Sequence, residues 1–221
     1  MRILLADDHN VLRAGLRRIL EELPDAQVVG EARDGREAVE LAASLRPDVI
    51  VMDIGMPHLN GIEATRRIVE HNHRIHVVVL SMYCDESYVA QVLRAGAIGY
   101  LLKDSAEEDL VLAVRAVARG QTFFSPRISQ LLLGDAAVRL TAVNASDPYD
   151  ALTPREREVF QLIAEGKTNK EAAASLGVSP TTVETHRARI LEKLHLHSPV
   201  EIVLYAVRRG IIHPAPVPFG A

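Results

Sequence analysis

The chain has 221 residues, 48% of them apolar, and a formal net charge of −4 at neutral pH. That length favours two domains over one, and the mild charge excludes a uniformly basic nucleic-acid protein while leaving room for a local basic patch. The single cysteine, Cys84, excludes an internal disulfide and suits a reducing compartment. No stretch reaches the ~20 apolar residues of a membrane span, and the opening MRILLADDHNVLR lacks the apolar core of a signal peptide. The expectation is a soluble, cytoplasmic protein with no membrane partner.

In chain order, short apolar runs alternate with helix-period segments. The spacing predicts strands over 2–6, 28–31, 49–52, 77–80 and 99–102. Between them it predicts helices over 11–20, 37–45, 62–70, 87–94 and 107–118. In the first helix Val11, Leu12, Leu16, Ile19 and Leu20 make one stripe. Five strands alternating with five helices predict an α/β domain with a doubly wound parallel sheet covered on both faces. The continuous apolar runs VIVM and VVVL suit strands buried on both sides. From Gln121 the alternation stops, and residues 121–150 read as a linker with one short helix near 128–133. Residues 151–213 are helical in pattern, and 214–221, rich in proline, read as a flexible tail.

The run DVIVMDIGMP ends an apolar strand in a carboxylate, Asp53, although Asp is a poor strand residue. In an open parallel sheet, ligands sit beyond the carboxyl ends of the strands at the switch point of strand order. Asp7 and Asp8 end the first strand, Asp53 the third, Ser81 the fourth and Lys103 the fifth. Three converging carboxylates repel one another unless a cation neutralises them, and oxygen donors of this kind favour Mg²⁺. An Asp carboxylate can also serve as a phosphoryl acceptor, with Lys103 as a point charge and Ser81 as a hydroxyl donor. One Asp after a strand is commonly a turn residue or a cap, but five polar residues at one end of their strands argue for a site. His9, beside the site, reads as a solvent-facing loop residue.

The segments LLADDH, VIVMDIGMPHLNGIEA, VVLSMY and AGAIGYLLKDS resemble the receiver domain of bacterial two-component response regulators, over about residues 1–120. The resemblance implies a flavodoxin-like receiver whose Asp53 is phosphorylated by a sensor histidine kinase. It implies Mg²⁺ on Asp7, Asp8, Asp53 and the backbone carbonyl of Gly55. It further implies that Ser81 and Lys103 bind phosphoryl oxygens and that Ser81 and Tyr100 carry the switch. Many receivers have proline after the active-site lysine, where this chain has Asp104.

In the C-terminal part, Thr153, Pro154 and Glu156 predict a helix start with a capping box, and Gly166 its end. Asn169 to Gly177 frames a short second helix, and Ser179 with Pro180 starts a third. Two helices joined by a glycine turn make the helix-turn-helix pattern. At ~100° per residue, Val183, Ile190 and Leu194 form the apolar stripe of the third helix. Thr181, Glu184, Thr185, Ala188 and Arg189, with Thr182 beside them, are then the candidates to face DNA. Lys167, Lys170, His186 and Lys193 read as phosphate contacts. Arg187 falls near the core stripe and reads as structural, paired with Glu156 or Glu158.

LTPREREV, NKEAA and SPTTVETHRARILEKL are similar to the LuxR-type helix-turn-helix, and the pair of domains resembles the NarL/FixJ-type response regulators. That resemblance implies double-stranded DNA as partner. It also implies a homodimer when phosphorylated, with Val203, Leu204 and Val207 of the last helix as the dimer contact. The family often has a basic residue where Glu184 stands. The reading is therefore a transcription factor rather than an enzyme. Its rivals are a phosphohydrolase using Asp53 as nucleophile, a constitutive DNA binder, and a ligand-sensing regulator.

Overall fold

In a computed structural model, residues 1–104, 107–134, 148–196, 198–209 and 211–212 are described. The chain divides into two compact units, 1–141 and 142–221. No described helix is long and apolar enough to cross a membrane.

The first unit runs β1 (Arg2–Ala6), α1 (Asn10–Glu21), β2 (Gln27–Ala32), α2 (Gly35–Leu45), β3 (Val49–Asp53) and α3 (Gly61–His71). It continues with β4 (His76–Ser81), α4 (Glu86–Arg94), β5 (Gly99–Leu102), α5 (Glu107–Ala118), β6 (Phe123–Phe124) and α6 (Pro126–Gly134). All pairings are parallel, in the order β2-β1-β3-β4-β5-β6. Side chains alternate across each strand. Leu4, Ile50, Met52, Val77, Val79 and Tyr100 face the side covered by α2, α3 and α4. Ile3, Leu5, Val51, Val78, Leu80 and Leu101 face the side covered by α1 and α5. Each fully buried aliphatic chain of this kind contributes about 1.5–3 kcal/mol.

The sheet has six strands where the sequence pattern predicts five. Phe123 and Phe124 are too short a pair to show a period, yet their segment pairs with β5 through Phe123 N–H to the Ile98 carbonyl (3.0 Å) and Ser125 N–H to the Tyr100 carbonyl (3.1 Å). The linker expected over 121–150 is corrected for the same reason. Its first part is an edge strand and a helix that buries Ile128 fully in the first unit's core, with Leu131 and Leu132 packed against it. The rest of that expected linker, 135–147, and the expected tail 214–221 lie outside the described residues.

The switch point falls between β1 and β3, because the chain runs outward from β1 to β2 and then returns to the far side of β1. Register sets the strand ends side by side: Ala6 pairs with Met52, Asp53 with Leu80 and Ser81 with Leu102. The loop after β3 returns tightly. Asn60 caps α3 by accepting from Glu63 N–H, and Gly61 N–H donates to the Ile54 carbonyl at 2.9 Å. A Cβ on Gly61 would stand 1.9 Å from the Asp53 carbonyl oxygen, so only glycine fits behind the acidic strand end.

The described part of the second unit starts with a 3₁₀ turn (Pro148–Ala151), followed by α7 (Pro154–Ala164), α8 (Asn169–Leu176), α9 (Pro180–Lys193) and α10 (Pro199–Arg208). Capping boxes at Thr153/Glu156 and Thr168/Glu171 start α7 and α8. Ser179 caps α9, and Gly177 ends α8 in the left-handed region (φ 64°). Val183, Ile190 and Leu194 join Phe160, Leu162, Ala172 and Ile202 in one core. Tyr149 belongs to that core too, so this unit packs residues from just before the expected start at 151.

Gly61→Ala is expected to lower folding stability by roughly 2–3 kcal/mol through overpacking against backbone. Gly15→Ala, in the middle of α1 with open space around it, should raise stability by about 0.5–1 kcal/mol. Urea titrations of both variants check the contrast, and equal effects would contradict the proposed close approach at Asp53.

Candidate functional site

Asp7 and Asp53 follow or end the two strands flanking the switch point, and both are buried. Lys103, one residue past β5, reaches back so that its Nζ lies 2.8 Å from Asp53 Oδ2 and 3.0 Å from Asp7 Oδ2. Asp8 is half-exposed. One oxygen of each of Asp7, Asp8 and Asp53, together with a His9 ring nitrogen, can be chosen so that all lie within 4.8 Å of one another. Gly55 N–H approaches Asp53 Oδ1 at 3.4 Å. Arg13, which the sequence pattern does not single out, is buried and donates to the Asp7 carbonyl at 2.6 Å while pairing with Glu31. It anchors the backbone that carries the acidic pair.

The electrostatics are unbalanced by one charge. Burial, and then repulsion from Asp7, hold the Asp53 carboxyl above its usual range, although Lys103 opposes both. Burial disfavours the Lys103 ammonium, but the Asp53 and Asp7 carboxylates outweigh it and its pKa stands above ordinary lysine. Both shifts point the same way because one ammonium serves two buried carboxylates. Asp53 therefore remains under-compensated while Lys103 is over-compensated. A further cation would restore the balance.

The donor set fits such a cation: hard carboxylate oxygens gathered from neighbouring strand ends. Asp8 Oδ1 is a buried atom that accepts no hydrogen bond. The acidic cluster can thus hold a metal ion.

Ser81 is buried, and its Oγ accepts from Tyr83 N–H at 3.0 Å. The Tyr100 ring is fully buried and its hydroxyl donates to the Tyr83 carbonyl at 2.8 Å. Burial pushes that hydroxyl's pKa up to about 12. The Tyr83 ring stacks on Tyr88 of α4, with centroids 5.0 Å apart. Ser81, Tyr83, Tyr88 and Tyr100 thus connect the acidic site to α4. The family resemblance implies a part for the first and last of these but not for Tyr88. The Lys103–Asp104 bond is not cis, and none of the described residues has a cis peptide bond. His9 is two-thirds exposed, as expected, yet its Nδ1 stands 2.8 Å from Asp8 Oδ1 and 3.3 Å from Asp7 Oδ1.

In the second unit the α9 residues sort by face. Thr181, Glu184, Thr185, Ala188 and Arg189 are exposed, as are Lys167 and Lys170. Thr182 is half-buried, and its N–H bonds the Ser179 cap. His186, expected as a phosphate contact, is half-buried, and its Nδ1 is a buried atom without a hydrogen-bond partner. It lies three residues after Val183 and four before Ile190, on their side of the helix.

Lys193, expected at the phosphate backbone, donates instead to buried Glu156 at 2.7 Å and to the Ala151 carbonyl at 3.1 Å. Its charge is already engaged in holding α9 to the start of α7. Arg187 is half-buried, and its Nη1 bonds Asn169 Oδ1 at 3.4 Å rather than Glu156 or Glu158. Those two carboxylates are taken by Lys193 and Arg155. On α10, Leu204 and Val207 are exposed and Val203 is half-buried. Val200, four residues before Leu204, is also exposed and extends that apolar stripe.

Because the folded-state pKa of Asp53 is raised, its ionisation weakens the fold. The stability it contributes is present below the unfolded value of about 3.9 and is lost as pH rises through the folded value. Asp53→Asn, which keeps the site neutral, should therefore raise the thermal midpoint at pH 7 in chelator-treated buffer. The gain should shrink as pH falls toward the unfolded value. Melting curves across that range check it, and a lowered midpoint at pH 7 would contradict the charge imbalance.

Residues 3–115 match the response regulator receiver domain family, and residues 150–206 match the luxR family of bacterial regulatory proteins. The chain is 41% identical to the oxygen regulatory protein NreC of Staphylococcus carnosus (strain TM300), over 96% of this chain and 99% of that one. It is equally identical to the transcriptional regulatory protein LiaR of Bacillus subtilis (strain 168), over 96% and 100%. Among solved structures, a LuxR-family two-component response regulator from Aurantimonas sp. SI85-9A1 covers 62% of this chain and 97% of its own, with TM-score 0.60 and 37% identity. The response regulator RcsB in complex with DNA covers 93% and 96%, with TM-score 0.57 and 28% identity. A parallel α/β receiver with its acidic switch point, a helix-turn-helix and full-length relatives together show that the chain belongs to the two-component response regulators of the NarL/FixJ type.

Proposed function

We propose that this chain is a phosphorylation-switched transcription factor whose Asp53 accepts a phosphoryl group from a sensor histidine kinase in the cytoplasm. The observation that carries this reading is the Lys103 ammonium shared by buried Asp7 and Asp53 at the sheet's switch point. Such a cluster is one cation short, and a phosphoryl group arriving with a divalent ion answers that deficit.

In the transfer, an Asp53 carboxylate oxygen attacks the phosphorus of a phosphohistidine. The P–O bond forms as the P–N bond breaks, and the imidazole leaves with the electron pair. Mg²⁺ would be held by Asp7, Asp8, Asp53 and the Gly55 backbone carbonyl, and when bound it would neutralise the phosphoryl oxygens. Lys103 would exchange Asp53 Oδ2 for a phosphoryl oxygen. The Ser81 hydroxyl would turn from Tyr83 N–H to donate to another. The Tyr100 ring is already packed inward, so the turn of Ser81 would fix the Tyr83 loop rather than drag the ring into place. The effect is a population shift: phosphate need only bind one arrangement of that loop better than the other.

The output is DNA binding. RcsB is a relative solved with DNA, and α9 of this chain offers an exposed polar face. Thr181, Glu184, Thr185, Ala188 and Arg189 would meet base edges, with Thr182 close by and Lys167 and Lys170 on phosphates. His186 and Lys193 would act mainly in positioning α9. Dimerisation through Leu204 and Val207, continued by Val200 and flanked by Val203, would match a two-fold symmetric operator.

Intact mass after incubation with acetyl phosphate and Mg²⁺ tests the reading, with sizing of the same samples. One added phosphoryl group on the wild type and none on Asp53→Asn, with a shift toward dimer, is expected. No adduct under any metal condition, or an equal adduct on Asp53→Asn, would refute it.

A further inference from the structure

The Oδ2 atoms of Asp7 and Asp53 are committed to Lys103. The contact between His9 and the acidic pair is of another kind. His9 Nδ1 stands 2.8 Å from Asp8 Oδ1, inside hydrogen-bond distance, yet Asp8 Oδ1 accepts no hydrogen bond. The two atoms are close without being aligned on each other. The same Nδ1 lies 3.3 Å from Asp7 Oδ1. Adjacent ligands bound at right angles around an ion, each at about 2.1 Å, stand about 3 Å apart. The His9–Asp8 and His9–Asp7 separations are edges of that size. Donor atoms at ligand-edge spacing, all within 4.8 Å of an Asp53 oxygen, are close enough together to share one centre.

We propose that His9 Nδ1 is a direct ligand of the divalent cation held by Asp7, Asp8 and Asp53. The site would then prefer cations that accept an imidazole nitrogen, such as Mn²⁺, Co²⁺ or Ni²⁺, over Mg²⁺. This rests on the reading of the three carboxylates as a cation site given above and goes beyond it in ligand and metal class. The chemistry is selective. Mg²⁺ takes hard oxygen donors and gives up water reluctantly, so an imidazole adds little to it. Later first-row cations gain from nitrogen, in rising order from Mn²⁺ to Ni²⁺. His9 is free to turn, because it is two-thirds exposed and follows β1 on the loop before α1. Its backbone N–H is bonded to Asp7 Oδ1 at 2.7 Å, which fixes the main chain while leaving the ring its χ freedom.

The test is calorimetric titration of the full chain with MgCl₂ and with CoCl₂, together with the visible absorption of bound Co²⁺. Wild type, His9→Ala and Asp8→Asn are compared. The chain carries nine histidines, so Co²⁺ binding at this site is defined as the part that Asp8→Asn removes. His9→Ala should lower the ratio of Co²⁺ to Mg²⁺ affinity by roughly tenfold or more and should change the Co²⁺ spectrum. An unchanged ratio and an unchanged spectrum, with Asp8→Asn still abolishing binding, would overturn the role of His9 and leave the cation site standing. Loss of both metals in equal measure in His9→Ala would overturn it as well. Failure of Mg²⁺ to bind the wild type, by contrast, would count against the Mg²⁺ reading of the carboxylates. The His9 assignment would then stand if Co²⁺ still bound through it, and would fall if neither metal bound.

Discussion

The receiver half of this protein is organised around one ammonium shared by two buried carboxylates. Lys103 reaches Asp7 and Asp53 only because β1, β3 and β5 run parallel and end level. Level ends in turn need the register in which Ala6, Met52 and Val79 lie across from one another. Gly61 must lack a side chain so that α3 can return beneath the Asp53 carbonyl, and Arg13 must hold the Asp7 carbonyl in place. Burying a carboxylate pair beside a single cation is unfavourable unless other charge can arrive. The fold tolerates the imbalance because two apolar layers, one on each face of the sheet, supply the stability that the site withholds. In the proposed function, that imbalance would make the site responsive to a cation and a phosphoryl group.

The helix-turn-helix unit follows the opposite rule. Its buried carboxylate is paired off: Glu156 takes Lys193 and the Thr153 backbone N–H, and these contacts hold its pKa below the ordinary range against the effect of burial. Three of its helices start at a side-chain cap with proline at or next to the first turn, and α8 starts at a capping box. Helix α9 is thereby fixed at both ends and exposed along one polar face. That division suits a rigid reader governed from elsewhere.

The elements most open to sequence reading were those set by local physics. Strands buried on both faces read as unbroken apolar runs, and α5 over 107–118 was bounded to the residue. The caps at Thr153 and Ser179 and the left-handed Gly177 follow from residue type alone. The convergence of Asp7, Asp53, Ser81 and Lys103 was also legible, because strand ends of a parallel sheet meet on one edge. What stayed hidden depends on tertiary contact. The β6 pair is too short to carry a period, and α6 looks like a linker until Ile128 is seen in the core. Lys193 looks like any surface lysine until Glu156 is placed beneath it. Arg13 sits on a mixed helix, and only the fold turns it inward onto the Asp7 carbonyl. The direction of the His9 ring is a matter of χ angles, on which spacing is silent.

The central claim is that charge placed at Asp53 is read out on DNA by the second unit. The most direct measurement is the affinity for a duplex enriched from a random pool, at one fixed salt concentration, before and after phosphorylation. Tighter binding by the phosphorylated chain, at an affinity that Asp53→Asn cannot reach under the same treatment, is the result this account predicts. Equal affinity with and without the phosphoryl group would contradict it and would make the receiver a scaffold for a constitutive DNA binder.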